Sequence, residues 1–215
     1  MGQRLVVLAR WPAPGRCKRR LAASCGSSAA AAVQRALTAH TLAVARHAAR
    51  RCGARLELVI DGLGPRARRR WARELEVDHS SAQGGGGLGC RMHRQLRRAF
   101  GAGASQVVLI GTDLPGLEGV DLQEAFSALA ERPLVLGPAS DGGYWLIGFN
   151  RVGFSRAGIR LMSGIPWGTD AVLPLTLARA EALALPTALL RRQSDLDRHH
   201  DLRPWLGPPA PVGSR

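Results

Sequence analysis

The sequence predicts an α/β fold: a mainly parallel mixed sheet with helices on both faces. The chief observation is alternation. Short apolar, strand-like runs and helix-period segments follow one another along the chain, a pattern that builds parallel sheets covered by helices. The composition agrees, with 46% hydrophobic and 21% charged residues in a chain of 215, ordinary values for a globular protein with a packed core. No repeat or linker interrupts the pattern. Residues 1–207 therefore read as one domain, with a Pro/Gly-rich tail over 208–215 expected to be disordered.

The first strand is the apolar, β-branched run at residues 4–9. Two prolines and a glycine then make 11–15 a loop. Val33, Leu37, Thr41, Val44 and Ala48 recur at helical spacing and predict a long helix over about 28–51. The second strand spans 56–60 and stops at Asp61-Gly62. Pro65 suits a first helical position, and Ala67, Trp71 and Leu75 mark one face of that helix. Residues 83–89 form a glycine-rich loop, and Met92, Leu96, Ala99 and Phe100 give the next helix.

Residues 106–110 are the most strand-like run, ending in the turn GTDLPG. Asp121 and Glu124 have the spacing of a capping box before Leu122, Ala125, Phe126 and Leu129. Strands are expected at 134–136 and 145–149, with Ser140-Asp141-Gly142-Gly143 between them. Thr169 can cap a helix running to about Ala184, although Pro174 sits awkwardly inside it. A last strand at 187–190 precedes a polar, acidic stretch at 195–201.

The charge is strongly basic, +14 with a pI near 11.5, yet all but one of the 30 cations are arginine. So lopsided a ratio, beside many Ala and Gly, reads as compositional bias rather than a nucleic-acid surface. No nucleic-acid motif is present and aromatics are only 5%, too few for stacking platforms, so no specific nucleic-acid partner is expected. The bias singles out the lone lysine, Lys18, and the lone tyrosine, Tyr144. The four cysteines form no C-x-x-C pair and read as reduced, structural thiols. No apolar stretch approaches the ~18 residues that cross a bilayer, and the five-residue run near the N-terminus is too short for a signal-peptide core. A cytoplasmic protein is expected.

In parallel α/β sheets ligands bind beyond the C-terminal ends of the strands, so the loops after strands carry the candidate chemistry. The loop after the first strand holds Gly15 with Arg16, Lys18, Arg19 and Arg20, a way to hold phosphates that matches no standard phosphate motif. Asp113 follows the best strand. A carboxylate there suits Mg²⁺ or Mn²⁺ shared with substrate phosphate, and equally a cap for the turn at Pro115. Asp141-Gly142-Gly143-Tyr144 can approach a ligand closely, or serve only as a hairpin turn. Asp195, Asp197 and Asp201 could complete a metal site, whereas the adjacent His199 and His200 cannot both face one ion from a helix. Arg91, Arg94 and Arg98 form a helical stripe open to two readings, an anion face or a solvated one.

Six segments in order resemble a known family: PAPGRCKRRL (12–21), GGLGCRM (86–92), VVLIGTDLPGL (107–117), LGPASDGGYWLIG (136–148), GIPWGTDAVL (164–173) and DLDRHHDL (195–202). They are similar to small bacterial glycosyltransferase-A-like transferases, associated with arsenosugar biosynthesis and related to the molybdenum-cofactor and 2-phospholactate nucleotidyltransferases. The resemblance covers about residues 4–203 and implies a nucleotide-diphospho-sugar transferase fold. It implies Lys18 and Arg20 as phosphate-loop cations, with Gly15 and Arg16 beside them. Gly86, Leu88 and Arg91 fall to the nucleotide, and Asp113 and Asp197 to a divalent metal, Mg²⁺ or Mn²⁺. Asp141, Gly142, Gly143 and Tyr144 fall to the acceptor or sugar, with Asp141 the candidate general base by position. The family's GDLGERM block carries acids where this chain has Gly87 and Cys90.

The function expected is metal-dependent glycosyl transfer from a nucleotide diphosphate sugar to a small-molecule acceptor. The alternative is nucleotidyl transfer from a nucleoside triphosphate to a phosphorylated small molecule, which the several cations of the first loop would suit.

Overall fold

The computed structural model describes residues 2–199 and 201–202. The expected tail at 208–215 and His200 lie outside the described residues. A seven-stranded sheet is formed by β1 (Gly2–Arg10), β2 (Ala54–Asp61), β3 (Ser80–Ala82), β4 (Ala104–Ile110), β5 (Leu134–Pro138), β6 (Tyr144–Asn150) and β7 (Thr187–Leu189). Its order is β3-β2-β1-β4-β6-β5-β7. Every pairing is parallel except those of β6, which runs antiparallel to both β4 and β5. The expected mainly parallel mixed sheet is what forms.

The helices are α1 (Arg19–Cys25), α2 (Ser27–Cys52), α3 (Pro65–Glu74), α4 (Leu88–Gly101), α5 (Gly119–Glu131), α6 (Arg151–Ala157) and α7 (Val172–Ala182). Successive side chains of β1 divide between two cores. Leu5, Val7 and Ala9 pack with Leu42, Leu122 and Phe126 on one face of the sheet. Val6 packs with Met92, Leu96 and Leu173 on the other. A strand covered on both faces must be apolar at every position, so β1 reads as a continuous run rather than an alternating one.

Three elements escaped the sequence reading: α1, hidden in the cation-rich loop, the three-residue β3, and α6, whose first turn is capped by Asn150 Oδ1 accepting from Gly153 N at 2.9 Å. Two cap assignments shift. The capping box of α5 is formed by Glu118 and Asp121, not by Asp121 and Glu124. Thr169 does not cap α7, because its hydroxyl donates to Pro166 O at 2.8 Å and the helix begins at Val172. That later start puts Pro174 in the first turn, where backbone N–H groups have no helical partner to lose.

Strand order sets where a site can form. From β1 the chain crosses to β2 on one side, and β4 lies on the other, so the β1 and β4 ends border a topological switch point. The loops leaving these two strands, 11–18 and 111–118, therefore meet at the C-terminal edge.

Candidate functional site

A cavity of about 600 Å³ opens at this edge, a size suited to a small-molecule ligand. Among the charged residues in its wall are Arg10, Lys18, Arg91, Asp113, Asp141, Asp195 and Asp197. Its apolar side includes Leu109, Tyr144, Leu146, Ile147, Trp167 and Val172. Tyr144 and Trp167 meet edge to face with ring centroids 5.9 Å apart, a favoured aromatic geometry.

Lys18 is the centre of the charged side. Its side chain is 2% exposed and its Nζ lies 2.5 Å from Asp113 Oδ1 and 3.7 Å from Asp197 Oδ1. The same Nζ donates to Leu196 O at 2.5 Å. The backbone there is left-handed, with φ 45°, a conformation that disfavours non-glycine residues by about 1 kcal/mol. Asp113 and Asp197 are about half exposed, so both carboxylates face the ammonium on one side and open space on the other. Leu196 N donates to Asp113 O at 2.9 Å, which joins the two segments by main chain independently of the side chains. Asp201 Oδ2 accepts from Asp197 N at 2.9 Å and Arg198 N at 2.7 Å, fixing the turn that presents Asp197.

Asp195 is the residue the sequence undervalued. It lines the cavity, and its buried Oδ1 has no hydrogen-bond partner. Burial pushes its carboxyl up from 3.8 to about 7; the Asp113 and Asp141 carboxylates reinforce this and Lys18 opposes it. Between about pH 4 and pH 7 the folded chain thus keeps a proton that the unfolded chain has lost, so stability falls as pH rises through that window. Asp195→Asn removes the ionisation. The variant should melt with wild type below pH 4 and above it at pH 8, and parallel melting profiles across this range would refute the assignment.

The glycine-rich segment ends earlier than its sequence suggests, because α4 starts at Leu88 with Gly87 as N-cap. Gly86, Gly87 and Leu88 line the cavity. Gly89 is required by packing: a Cβ there would lie 2.2 Å from Met162 O and 2.9 Å from Trp167 Nε1. The arginine stripe on α4 divides: Arg91 lines the cavity, Arg98 is exposed, and all three side chains also bond neighbouring segments. Arg91 donates to Gly86 O at 2.8 Å and pairs with Asp61 at 3.0 Å. Arg94 donates to Gln83 O and Gly85 O, and Arg98 pairs with Glu57. These side chains stitch the loop and the β2 region to the helix. Arg10, also paired with Asp61, was not singled out from sequence.

The remaining sequence candidates separate into two groups. Asp141, Gly143 and Tyr144 line the cavity, with Asp141 Oδ1 accepting from Gly143 N at 2.9 Å. Gly15, Arg16, Arg20 and Gly142 do not line it. Gly15 and Arg16 are exposed, and Arg20 Nη1 pairs at the surface with Asp197 Oδ2 at 3.1 Å. Gly142, at φ +87°, is needed because a Cβ would lie 2.4 Å from Asp170 Cα. Residues 141–144 thus make the β5–β6 turn, and Asp141, Gly143 and Tyr144 of that turn also form part of the cavity wall. Cys17 lines the cavity as well, and burial raises its thiol above the ordinary value, which disfavours the thiolate. All four cysteines are free thiols.

Among the described residues, no group of three or more His, Cys, Asp or Glu side chains could hold a metal ion by itself. Two half-exposed carboxylates do fit an ion that completes its shell with substrate phosphate oxygens, the usual mode for Mg²⁺. No helix among the described residues is long and apolar enough to cross a membrane.

A family model described as "Uncharacterized protein conserved in bacteria (DUF2064)" matches residues 20–169. No curated protein matches the chain. Among solved structures, a protein from Desulfovibrio desulfuricans G20, provisionally described as a nucleotide-diphospho-sugar transferase, is 29% identical with a TM-score of 0.82, covering 94% of this chain and 85% of its own. CMP:2-keto-3-deoxy-manno-octonic acid synthetase, solved with CTP, has a TM-score of 0.58 at 10% identity over 95% of this chain and 97% of its own. Rv0371c of Mycobacterium tuberculosis H37Rv, solved with manganese, has a TM-score of 0.55 at 20% identity over 96% and 98%. The fold is thus that of the nucleotide-diphospho-sugar transferase-like proteins, and the last two likenesses are of fold alone.

Proposed function

We propose, for a chain that belongs to the bacterial DUF2064 family, that the cavity at its switch point is the active site of a metal-dependent transferase moving a glycosyl group from a nucleotide diphosphate sugar to a small acceptor. One observation carries this reading: Asp113 and Asp197, from loops far apart in sequence, converge on one buried ammonium at the ligand-binding edge. A diphosphate brought against these carboxylates needs a divalent cation between them. The likeness to the Desulfovibrio desulfuricans protein supports the choice of donor.

In this reading Asp113 and Asp197 hold Mg²⁺ or Mn²⁺, which when bound neutralises charge on the departing diphosphate. Lys18 adds a second positive charge from the protein side. Arg10 and Arg91 lie on the wall shared with Gly86 and Leu88, where they suit the nucleotide. Asp141, on the β5–β6 turn in the same cavity wall, would accept the proton of the acceptor hydroxyl as its oxygen attacks the sugar carbon and the bond from that carbon to the β-phosphate oxygen breaks. Tyr144 and Trp167, set edge to face, supply an aromatic corner for acceptor or sugar.

The alternative, nucleotidyl transfer, drew on the number of cations in the first loop. Of these only Lys18 lines the cavity, while Arg16, Arg19 and Arg20 are exposed, so the geometry suits a diphosphate with one metal better than a triphosphate. The bond broken separates the two reactions. Long incubation with Mn²⁺ and a panel of nucleotide sugars should release nucleoside diphosphate from at least one donor by slow hydrolysis, and nucleoside triphosphates should give no pyrophosphate. Pyrophosphate release that disappears in Asp113→Asn would reverse the assignment.

A further inference from the structure

Lys18 is held unlike an ordinary phosphate-binding lysine. Its ammonium is buried, and it points at a set of protein oxygens: Asp113 Oδ1 and Leu196 O at 2.5 Å, with Asp197 Oδ1 at 3.7 Å. These include the two carboxylates assigned above to the metal. A phosphate-binding lysine has its charge free for the ligand. Here one carboxylate is in direct contact and a second is near.

We propose that the Lys18 ammonium is an internal stand-in for the metal, occupying the carboxylate site until ion and diphosphate arrive together. The proposal rests on the metal-dependent reading of this site and adds an order to it. A divalent ion arriving alone must compete with a tethered cation already bonded to Asp113, and must leave that ammonium buried without its partner, an unfavourable outcome in a low-dielectric wall. A diphosphate changes the balance. It completes the metal's oxygen shell and offers the displaced ammonium new anionic oxygens. Metal and nucleotide then bind cooperatively, each raising the other's affinity by the same factor.

The left-handed backbone at Lys18 fits this role. It turns the side chain inward just before α1, at a position where glycine would be unstrained. The only lysine of an arginine-rich chain stands here. A compact ammonium on a flexible stem can leave one oxygen cage for another, whereas a planar guanidinium would lock onto a carboxylate bidentately.

The test is Mn²⁺ binding, read from the free-ion electron paramagnetic resonance signal, with and without ADP, CDP, GDP and UDP. Wild type should bind Mn²⁺ weakly alone and at least about tenfold more tightly with one of the diphosphates. Lys18→Gly, which suits the backbone, should bind Mn²⁺ alone about tenfold more tightly than wild type, and the enhancement by diphosphate should shrink severalfold. Lys18→Met serves the same purpose if the glycine variant does not melt cooperatively. Unchanged or weaker Mn²⁺ binding by a folded Lys18 variant overturns the proposal. So does equally tight binding by wild type with and without diphosphate, a comparison that needs no variant, and both outcomes leave the metal-dependent reading intact. Failure of every protein to take up Mn²⁺ with any diphosphate would refute that reading and the proposal together.

Discussion

Asp113→Asn should lower transferase turnover about a hundredfold to a thousandfold, the scale on which removing one charge-stabilising group acts in an active site, and should remove the Mn²⁺ dependence of nucleotide binding. The substitution keeps the shape and one oxygen of the side chain while deleting its charge. The main-chain role of residue 113 survives, because its carbonyl still accepts from Leu196 N. The carboxylate is half exposed, so its loss does not open the core. A purely structural turn cap would give the opposite pattern, with a lower melting temperature and normal turnover in the surviving folded protein.

The geometry also refines how much stability this variant should lose. A half-exposed aspartate in a turn would by itself leave the melting temperature nearly unchanged. Lys18, 2% exposed, donates to it, and weakening a charge-assisted hydrogen bond from a buried amine costs about 1–2 kcal/mol. In a chain of this size that is a fall of a few degrees. The expected result is therefore a small thermal penalty beside a very large catalytic one. A melting temperature lowered by more than about 10 °C would reassign Asp113 to the scaffold.

Much of this architecture could be read before any coordinates. The apolar runs of β1, β4 and β6 are buried on both faces, which makes them continuous in sequence and easy to recognise. Lys18 and Asp113 stood out because one is compositionally unique and the other ends the best strand. Asp195 did not, since its environment is assembled by three segments that sequence places far apart: Asp113, Asp141 and Lys18. Arg10 and Trp167 were missed for the same reason, being ordinary residues locally and cavity walls only after folding. The arginines of α4 show the converse. Their helical spacing was correctly seen, but whether a stripe faces solvent or a neighbouring loop is decided by tertiary contacts with Gly86, Gly85 and Gln83. α1 was invisible because RRLAASC is too short to show a period, and it forms by packing Leu21 against Ala30, Leu37 and Leu196.

A large stability loss should come from Asp121→Ala, and it should reach the proposed active site without touching it. Asp121 is 1% exposed. Its Oδ2 accepts from Glu118 N at 2.8 Å, from Arg191 Nη2 at 2.8 Å and from Gln193 Nε2 at 3.1 Å, and its Oδ1 accepts from Arg191 Nε. One carboxylate thus closes the N-terminus of α5 and anchors the segment after β7. Removing it loses a helix cap, worth about 1 kcal/mol, and strands the buried amide of Gln193, worth a further 1–3 kcal/mol. Arg191, half exposed, recovers water and adds little. A total near 3 kcal/mol predicts a fall of roughly 6–12 °C in melting temperature. Glu124→Ala, the partner that spacing alone proposed for the cap, sits on an exposed face of α5 and should stay within about 0.5 kcal/mol of wild type. The anchored segment continues through Gln193, whose backbone bonds Pro138 O and Ser140 N, to Asp195 and Asp197. Loosening it should weaken Mn²⁺–nucleotide binding well below the melting temperature. Leu129→Ala provides the control, since it empties core volume in the same helix at a comparable cost of about 2–5 kcal/mol and removes no side-chain hydrogen bond to residues 191–197. If Asp121→Ala and Leu129→Ala lose equal stability and equal nucleotide affinity, the affinity loss reflects general destabilisation. If only Asp121→Ala loses affinity, the carboxylate's anchoring of the 191–197 segment is what holds Asp197, the second aspartate of the proposed metal site, in position.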